Sequence, residues 1–250
     1  MLRYTGQQTP ALAKLRRIAM ALGALGERVV FIGGAIAPLL QTDQRLPRVR
    51  PTKDVDAIAA STSYADFDQF QRELRKCGFR EAAMAAGATG GHNAHRWIAP
   101  NDGGLFDIVR GGAHFGGTGS MTDAYALSSS ISVDLAEPGH GTPCVIRHAS
   151  AVAFLALKWA AFNDRGKADP FASHDLEDIA AVILSRPMLA AECDAAPESI
   201  RHLIATATNA LLSDPNAEEL LHAQLNGLGT QAGNALGSVR AQLQRMAAPD

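Results

Sequence analysis

The chain has 250 residues, is 47% hydrophobic and 19% charged, and carries a formal net charge of -2. That length suits one large domain or two small ones, and the apolar content excludes a disordered chain. A near-neutral balance leaves no global footprint for nucleic acid or an anionic membrane, so any basic surface has to be local. No apolar run approaches the roughly 20 residues that span a bilayer, and the first eight residues lack the charged-then-apolar form of a signal peptide. Cys77, Cys144 and Cys193 are odd in number and lie far apart, without metal-ligand spacing, so reduced thiols and a cytoplasmic location are expected.

In chain order, Thr9 and Pro10 predict the cap and first turn of a helix. Its apolar positions Leu12, Leu15, Ile18, Ala19 and Leu22 recur at helical spacing, and Gly23 and Gly26 end it. Arg28 to Ile32 is rich in β-formers and runs directly into Gly33-Gly34 and a further apolar stretch to Leu40. After a proline- and arginine-rich connection from Arg45 to Pro51, a second strand is predicted from Asp54 to Ala59. Tyr64 to Lys76 reads as a helix with Phe67, Phe70, Leu74 and Cys77 on one side and Gly78 as its stop. His95 to Ala99 and Leu105 to Val109 are predicted strands joined by the turn Pro100-Asn101-Asp102-Gly103-Gly104, and Cys144 to Arg147 is a last short strand. From about residue 149 the pattern is helical and rich in alanine and leucine. The expectation is an α/β (α+β) fold: a mixed or mostly antiparallel sheet flanked by helices over residues 1–148, then a helical domain over 149–250. Trp97 and Trp159 are expected in the core.

The informative feature is the placement of acids. Side chains two apart on a strand share a face, so Asp54 and Asp56 project together while Val55 and Ala57 point the other way. Adjacent carboxylates repel, and a divalent cation relieves that cost; oxygen ligands favour Mg2+, with Mn2+ as an alternative, over zinc. Asp107 is a third carboxylate, set between Phe106 and Ile108 in an apolar strand, where it has to be paired, at the mouth of the sheet, or a metal ligand. Three carboxylates undercompensate two magnesium ions, and the phosphates of a nucleoside triphosphate would neutralise the surplus. Gly33-Gly34, after a strand and before a helix, lets backbone amides approach phosphate closely. A Gly-Gly after a strand is also an ordinary tight turn, and an Asp-x-Asp is also an ordinary solvated strand end; the order of the three pieces is what describes one metal-phosphate site.

That order resembles the nucleotidyltransferase superfamily of DNA polymerase β type, carried here by Ile32-Gly33-Gly34, Asp54-Val55-Asp56 and Asp107. Within it the chain is similar to the AbiEii-like group, which includes toxins of bacterial toxin–antitoxin systems. Arg50-Pro51-Thr52-Lys53-Asp54-Val55-Asp56 looks like that group's first acidic motif, and the segments around Lys158, Lys167 and Asp175 look like its helical ones. Ala35 departs from the serine or threonine of many members, and Pro51 is inserted between Arg50 and Thr52. The resemblance implies a nucleotidyltransferase-type sheet and magnesium-dependent, two-metal nucleotidyl transfer. Asp54, Asp56 and Asp107 would be the metal ligands, with Asp107 holding the metal that activates the acceptor hydroxyl. Gly33, Gly34, Thr52 and Lys53 would serve the triphosphate, ATP or another. Lys158 would reach the triphosphate, and Asp175 would orient that lysine or the base. An exposed helix lysine and a dipole-favoured residue of a helix first turn are the alternatives for Lys158 and Asp175.

The acceptor stays open. The cluster Arg45, Arg48, Arg50 and Lys53 suits tRNA or another RNA, with a cognate antitoxin as partner; a small molecule or a protein hydroxyl is the alternative. A non-catalytic nucleotide-binding protein on the same fold is a further reading, and the intact aspartates argue against it. His92 and His95 have no third ligand close in sequence and are not taken as a metal site. The glycine-rich stretch from Gly111 to Ser120 is either a lid or a flexible connection, and it lacks the lysine of a phosphate-binding P-loop.

Overall fold

The computed structural model of the chain describes residues 2–6, 8–43, 51–82, 94–100, 102–111, 118–136, 142–225 and 232–248. Contacts divide the chain into two units, Met1–Leu39 with Arg50–Ser150, and Leu40–Val49 with Ala151–Asp250. The strands are β1 (Leu2–Arg3), β2 (Val29–Ile32), β3 (Asp54–Ala60), β4 (Arg80–Glu81), β5 (Ala94–Ile98), β6 (Leu105–Gly111), β7 (Ile131–Asp134) and β8 (Val145–His148), all in the first unit. Among the described residues they form one mixed eight-stranded sheet in the order β1-β7-β8-β2-β3-β6-β5-β4. The helices are α1 (Pro10–Leu22), α2 (Ala37–Leu40), α3 (Tyr64–Lys76), α4 (Thr118–Ser128), α5 (Ala151–Arg165), α6 (His174–Ser185), α7 (Leu189–Asp194), α8 (Glu198–Leu212), α9 (Ala217–Gln224) and α10 (Ala232–Ala247). The mixed sheet flanked by helices, followed by a helical region, is the architecture expected from the sequence.

The centre of the sheet is β3, antiparallel to β2 and parallel to β6. Alternation sorts its side chains. Val55 and Ala57 share a face with Phe31 and Phe106, and the rings of Phe31, Phe106 and Phe79 make a chain with centroids 6.2 and 5.6 Å apart. Asp54 and Asp56 point to the opposite face. Trp97, opposite Phe106 on β5, is fully buried, as expected. Thr9 caps α1, its hydroxyl accepting from the Leu12 amide at 3.2 Å, and Ser63 caps α3 by accepting from the Asp66 amide at 3.1 Å. α1 ends at Leu22, and Gly23 takes the positive φ of +54° before a 3-10 turn spanning Gly23–Arg28.

Several elements differ from the expectation. The apolar stretch after Gly34 is a 3-10 turn and a four-residue helix rather than one helix. β1 and β7 were not foreseen: two residues show no alternation, and Ile131-Ser132 are exposed, so neither carries a strand's apolar stripe. Leu40–Val49, placed with the sheet domain from sequence, groups with the helices. The Thr42 and Asp43 amides donate to the Ser185 carbonyl at 3.0 and 2.9 Å, and Arg186 donates to the Leu40 carbonyl at 2.9 Å.

In the helical unit α5 buries Val152, Phe154, Leu155, Trp159 and Phe162 and packs against α6 and α8. Trp159 is core, as expected. Ser173 caps α6 by accepting from the Leu176 amide. Among the described residues no helix is long and apolar enough to cross a membrane. The three cysteines are free thiols; Cys193 is pushed up to about 12, first by burial and then by Asp194 and Glu192.

Candidate active site

The parallel pairing of β3 with β6 sets Asp56 directly opposite Asp107, and Asp54 lies one pleat away on the same face. Three carboxylates from two strands therefore share one patch of the sheet. Asp107 is the most enclosed, 9% exposed, whereas Asp54 and Asp56 are partly open. Thr52 positions the first acid: its hydroxyl donates to Asp54 Oδ1 at 3.0 Å. Lys53, next to it, offers its backbone carbonyl to Lys14 Nζ at 2.6 Å.

Gly33 abuts the second acid. It follows the last residue of β2, where Ile32 pairs with Asp56, and has φ +70°. A Cβ at this position would lie 2.1 Å from Asp56 Oδ2, so only glycine admits both the backbone conformation and the carboxylate. Gly34 begins the 3-10 turn and is buried. A backbone corner without side chains thus sits against the Asp56 carboxylate.

One residue of this patch was not foreseen. Arg96 on β5 pairs with Asp107 in the antiparallel β5–β6 register, so its side chain rises on the acidic face. Its Nε donates to Asp107 Oδ1 at 2.8 Å and its NH2 to Asp107 Oδ2 at 2.6 Å, with a further 3.3 Å contact to Asp54 Oδ2. These bonds to Asp107, opposed in part by burial and then supported by the charges of Asp107, Asp54 and Asp56, hold the guanidinium protonated even more firmly than an ordinary arginine. The signal was present in the sequence. The turn closes with Ala99 donating to Gly104, and pairing outward from it sets Ile98 opposite Leu105 and Arg96 opposite Asp107.

Carboxylate oxygens with three formal negative charges are the donor type that a hard divalent cation takes, and the chain already sets a competing cationic group against them. Among the described residues no three His, Cys, Asp or Glu side chains converge closely enough to hold a metal as they stand; the Arg96 guanidinium lies between Asp54 and Asp107.

Lys158 and Asp175 lie in the helical unit. Lys158 is buried, not exposed, and its Nζ is 3.0 Å from Asp175 Oδ1 and 2.6 Å from Asp178 Oδ2. Asp175 and Asp178 are one turn apart on α6, and Arg165, two turns beyond Lys158 on α5, donates to Asp175 Oδ2 at 3.0 Å. Burial pulls the Lys158 ammonium down, but Asp178 and Asp175 outweigh it and raise it above its ordinary value. Burial likewise pushes the Asp175 carboxyl up, but Lys158 and Arg165 prevail and hold it low. Asp175 is also in the first turn of α6, where the dipole favours it. Asp178 was missed; its i,i+3 spacing from Asp175 was its signal.

Arg45, Arg48, Arg50, His92, the His95 side chain and residues 112–117 of the glycine-rich stretch lie outside the described residues.

No protein-family model matches the chain, and no curated protein does. Among solved structures it is similar to an antigenic nucleotidyltransferase-like protein from Paracoccidioides brasiliensis, at 18% identity and a TM-score of 0.46, over 85% of this chain and 92% of that one.

Proposed function

We propose that this chain is a nucleotidyltransferase that moves a nucleoside monophosphate from a nucleoside triphosphate to an acceptor hydroxyl, which loses its proton as the α–β phosphoanhydride bond breaks and pyrophosphate leaves. The observation that carries the proposal is the in-register pairing of Asp56 with Asp107, with Asp54 on the same face and the Gly33 corner against Asp56. Three carboxylates gathered on one face repel one another, and the cation that the chain sets against Asp107 and Asp54 is Arg96. A pair of magnesium ions would supply charge neutralisation at the reacting phosphate and a lowered pKa at the acceptor hydroxyl.

The chain's own residues divide the remaining work. Asp54, Asp56 and Asp107 would hold the cations, with Thr52 fixing the Asp54 carboxylate. The Gly33 and Gly34 amides donate to phosphate oxygens, and Lys53 adds positive charge beside Asp54.

In its finer form the acceptor is an RNA, with tRNA as the substrate of a cytoplasmic toxin restrained by an antitoxin. The support is the basic run Arg45, Arg48, Arg50 and Lys53 immediately before Asp54 in sequence. A small-molecule or protein acceptor is the alternative that the same assay separates. The Asp56→Ala protein should keep its circular dichroism spectrum and lose transfer of a labelled nucleotide, because it removes a ligand while relieving a like-charge pair. Undiminished transfer in that variant, with magnesium present, would remove the carboxylate site from the reaction.

A further inference from the structure

Arg96 takes up both oxygens of Asp107 in a fork, at 2.8 and 2.6 Å, and reaches Asp54 with the same NH2 group at 3.3 Å. It therefore uses the ligand atoms that a cation at this site would need. The exposures of the two partners differ: the Arg96 side chain is 47% exposed and that of Asp107 only 12%. The carboxylate is held within the sheet, while the guanidinium has solvent to move into. The fork takes one lone pair on each Asp107 oxygen and brings a positive charge to the patch, so a divalent cation that used those oxygens would meet a weakened acceptor and a like charge.

We propose that Arg96 is a built-in cation that stabilises the carboxylate patch without metal and competes with a divalent ion for it, so that this residue sets the site's metal affinity. The proposal rests on Asp54, Asp56 and Asp107 being the metal ligands. It accounts for two facts together: the three acids coexist on one face, and among the described residues they do not converge as a ready metal cage. Arg96 is a positioning residue here, acting through Asp107.

Mn2+ alone, titrated calorimetrically into the full chain without nucleotide, tests it. Arg96→Gln removes the competing charge and should bind Mn2+ on the order of tenfold more tightly than the wild type. Arg96→Lys, which cannot form the two-pronged bond, should fall between them. Thermal unfolding gives a second readout: without metal Arg96→Gln should melt below the wild type, and saturating Mn2+ should raise its melting temperature by more. Equal or weaker Mn2+ binding by Arg96→Gln, with the wild type binding and Asp56→Ala not, would overturn the proposal and leave the carboxylate site standing. Absence of Mn2+ binding in every variant, or wild-type binding that Asp56→Ala leaves unchanged, would overturn both.

Discussion

Gly33 joins backbone strain to chemistry at a single residue. Its φ of +70° and ψ of -171° lie in a region that side-chain-bearing residues scarcely enter, and a Cβ would press on Asp56 Oδ2. Gly33→Ala should cost about 1–3 kcal/mol in denaturant unfolding and lower transfer more than Gly23→Ala, whose Cβ would meet nothing within 4 Å. Equal losses of transfer in the two variants would show that the Asp56 contact has no functional weight. Asp123 on α4 is a second informative residue, its carboxyl pushed by burial up to about 6. A raised carboxyl favours the protonated folded form, so stability is lost as pH climbs from the ordinary value of 3.8 towards 6. Asp123→Asn should therefore stabilise the protein at neutral pH by up to about 3 kcal/mol and have little effect near pH 4; chemical unfolding at both pH values checks the difference.

At the scale of elements, the strands carrying the site were legible because their patterns are local. Asp54 to Ala59, Tyr64 to Lys76 and Leu105 to Val109 announce themselves through alternation, helical spacing and glycine stops, and the structure has Asp54–Ala60, Tyr64–Lys76 and Leu105–Gly111. The hairpin turn was legible too, yet its consequence for Arg96 required following the pairing outward from the turn. What spacing does not reveal is which strands are neighbours: β3 and β6 are far apart in sequence, and their parallel pairing is what brings Asp56 to Asp107. The α5–α6 contact shows the same limit. Nothing along α5 marks Lys158 as buried, because its partners Asp175 and Asp178 come from the next helix. Lys158→Met removes the buried ammonium that Asp175 and Asp178 share at 3.0 and 2.6 Å and should cost about 3–5 kcal/mol, with much of that recovered when Asp178→Leu is added. The pH signature follows from the two directions of shift. The Asp175 contribution is complete above the ordinary carboxylate value of 3.8 and is lost as pH falls through its lowered folded value. The Lys158 contribution is complete below 10.5 and is lost as pH rises through its raised one. The destabilisation caused by Asp175→Asn, measured by chemical unfolding, should therefore be full at neutral pH and shrink in acid below about pH 4.

For the whole molecule, composition correctly led to a sheet-bearing part followed by a helical one, since the glycine and β-former content falls sharply near residue 149. The structural division near Ser150 lies close to that shift, and Leu40, Thr42 and Asp43 are tied to Ser185 and Arg186 by hydrogen bonds across more than a hundred residues of sequence. A net charge of -2 confines attraction for an RNA acceptor to a local surface, so transfer to RNA should weaken steeply with added salt while transfer to a small acceptor should not. The central claim is that Asp54, Asp56 and Asp107 form one metal-dependent transfer site. Its most direct test is incubation of the full chain with each labelled nucleoside triphosphate, Mg2+ and total bacterial RNA, with Asp56→Ala and a chelated sample alongside. The account predicts label joined to an acceptor by the wild type in Mg2+ alone, with the tRNA band as the expected carrier. Label that persists in Asp56→Ala or after chelation, or no transfer of any nucleotide to RNA, protein or small molecules, would contradict it.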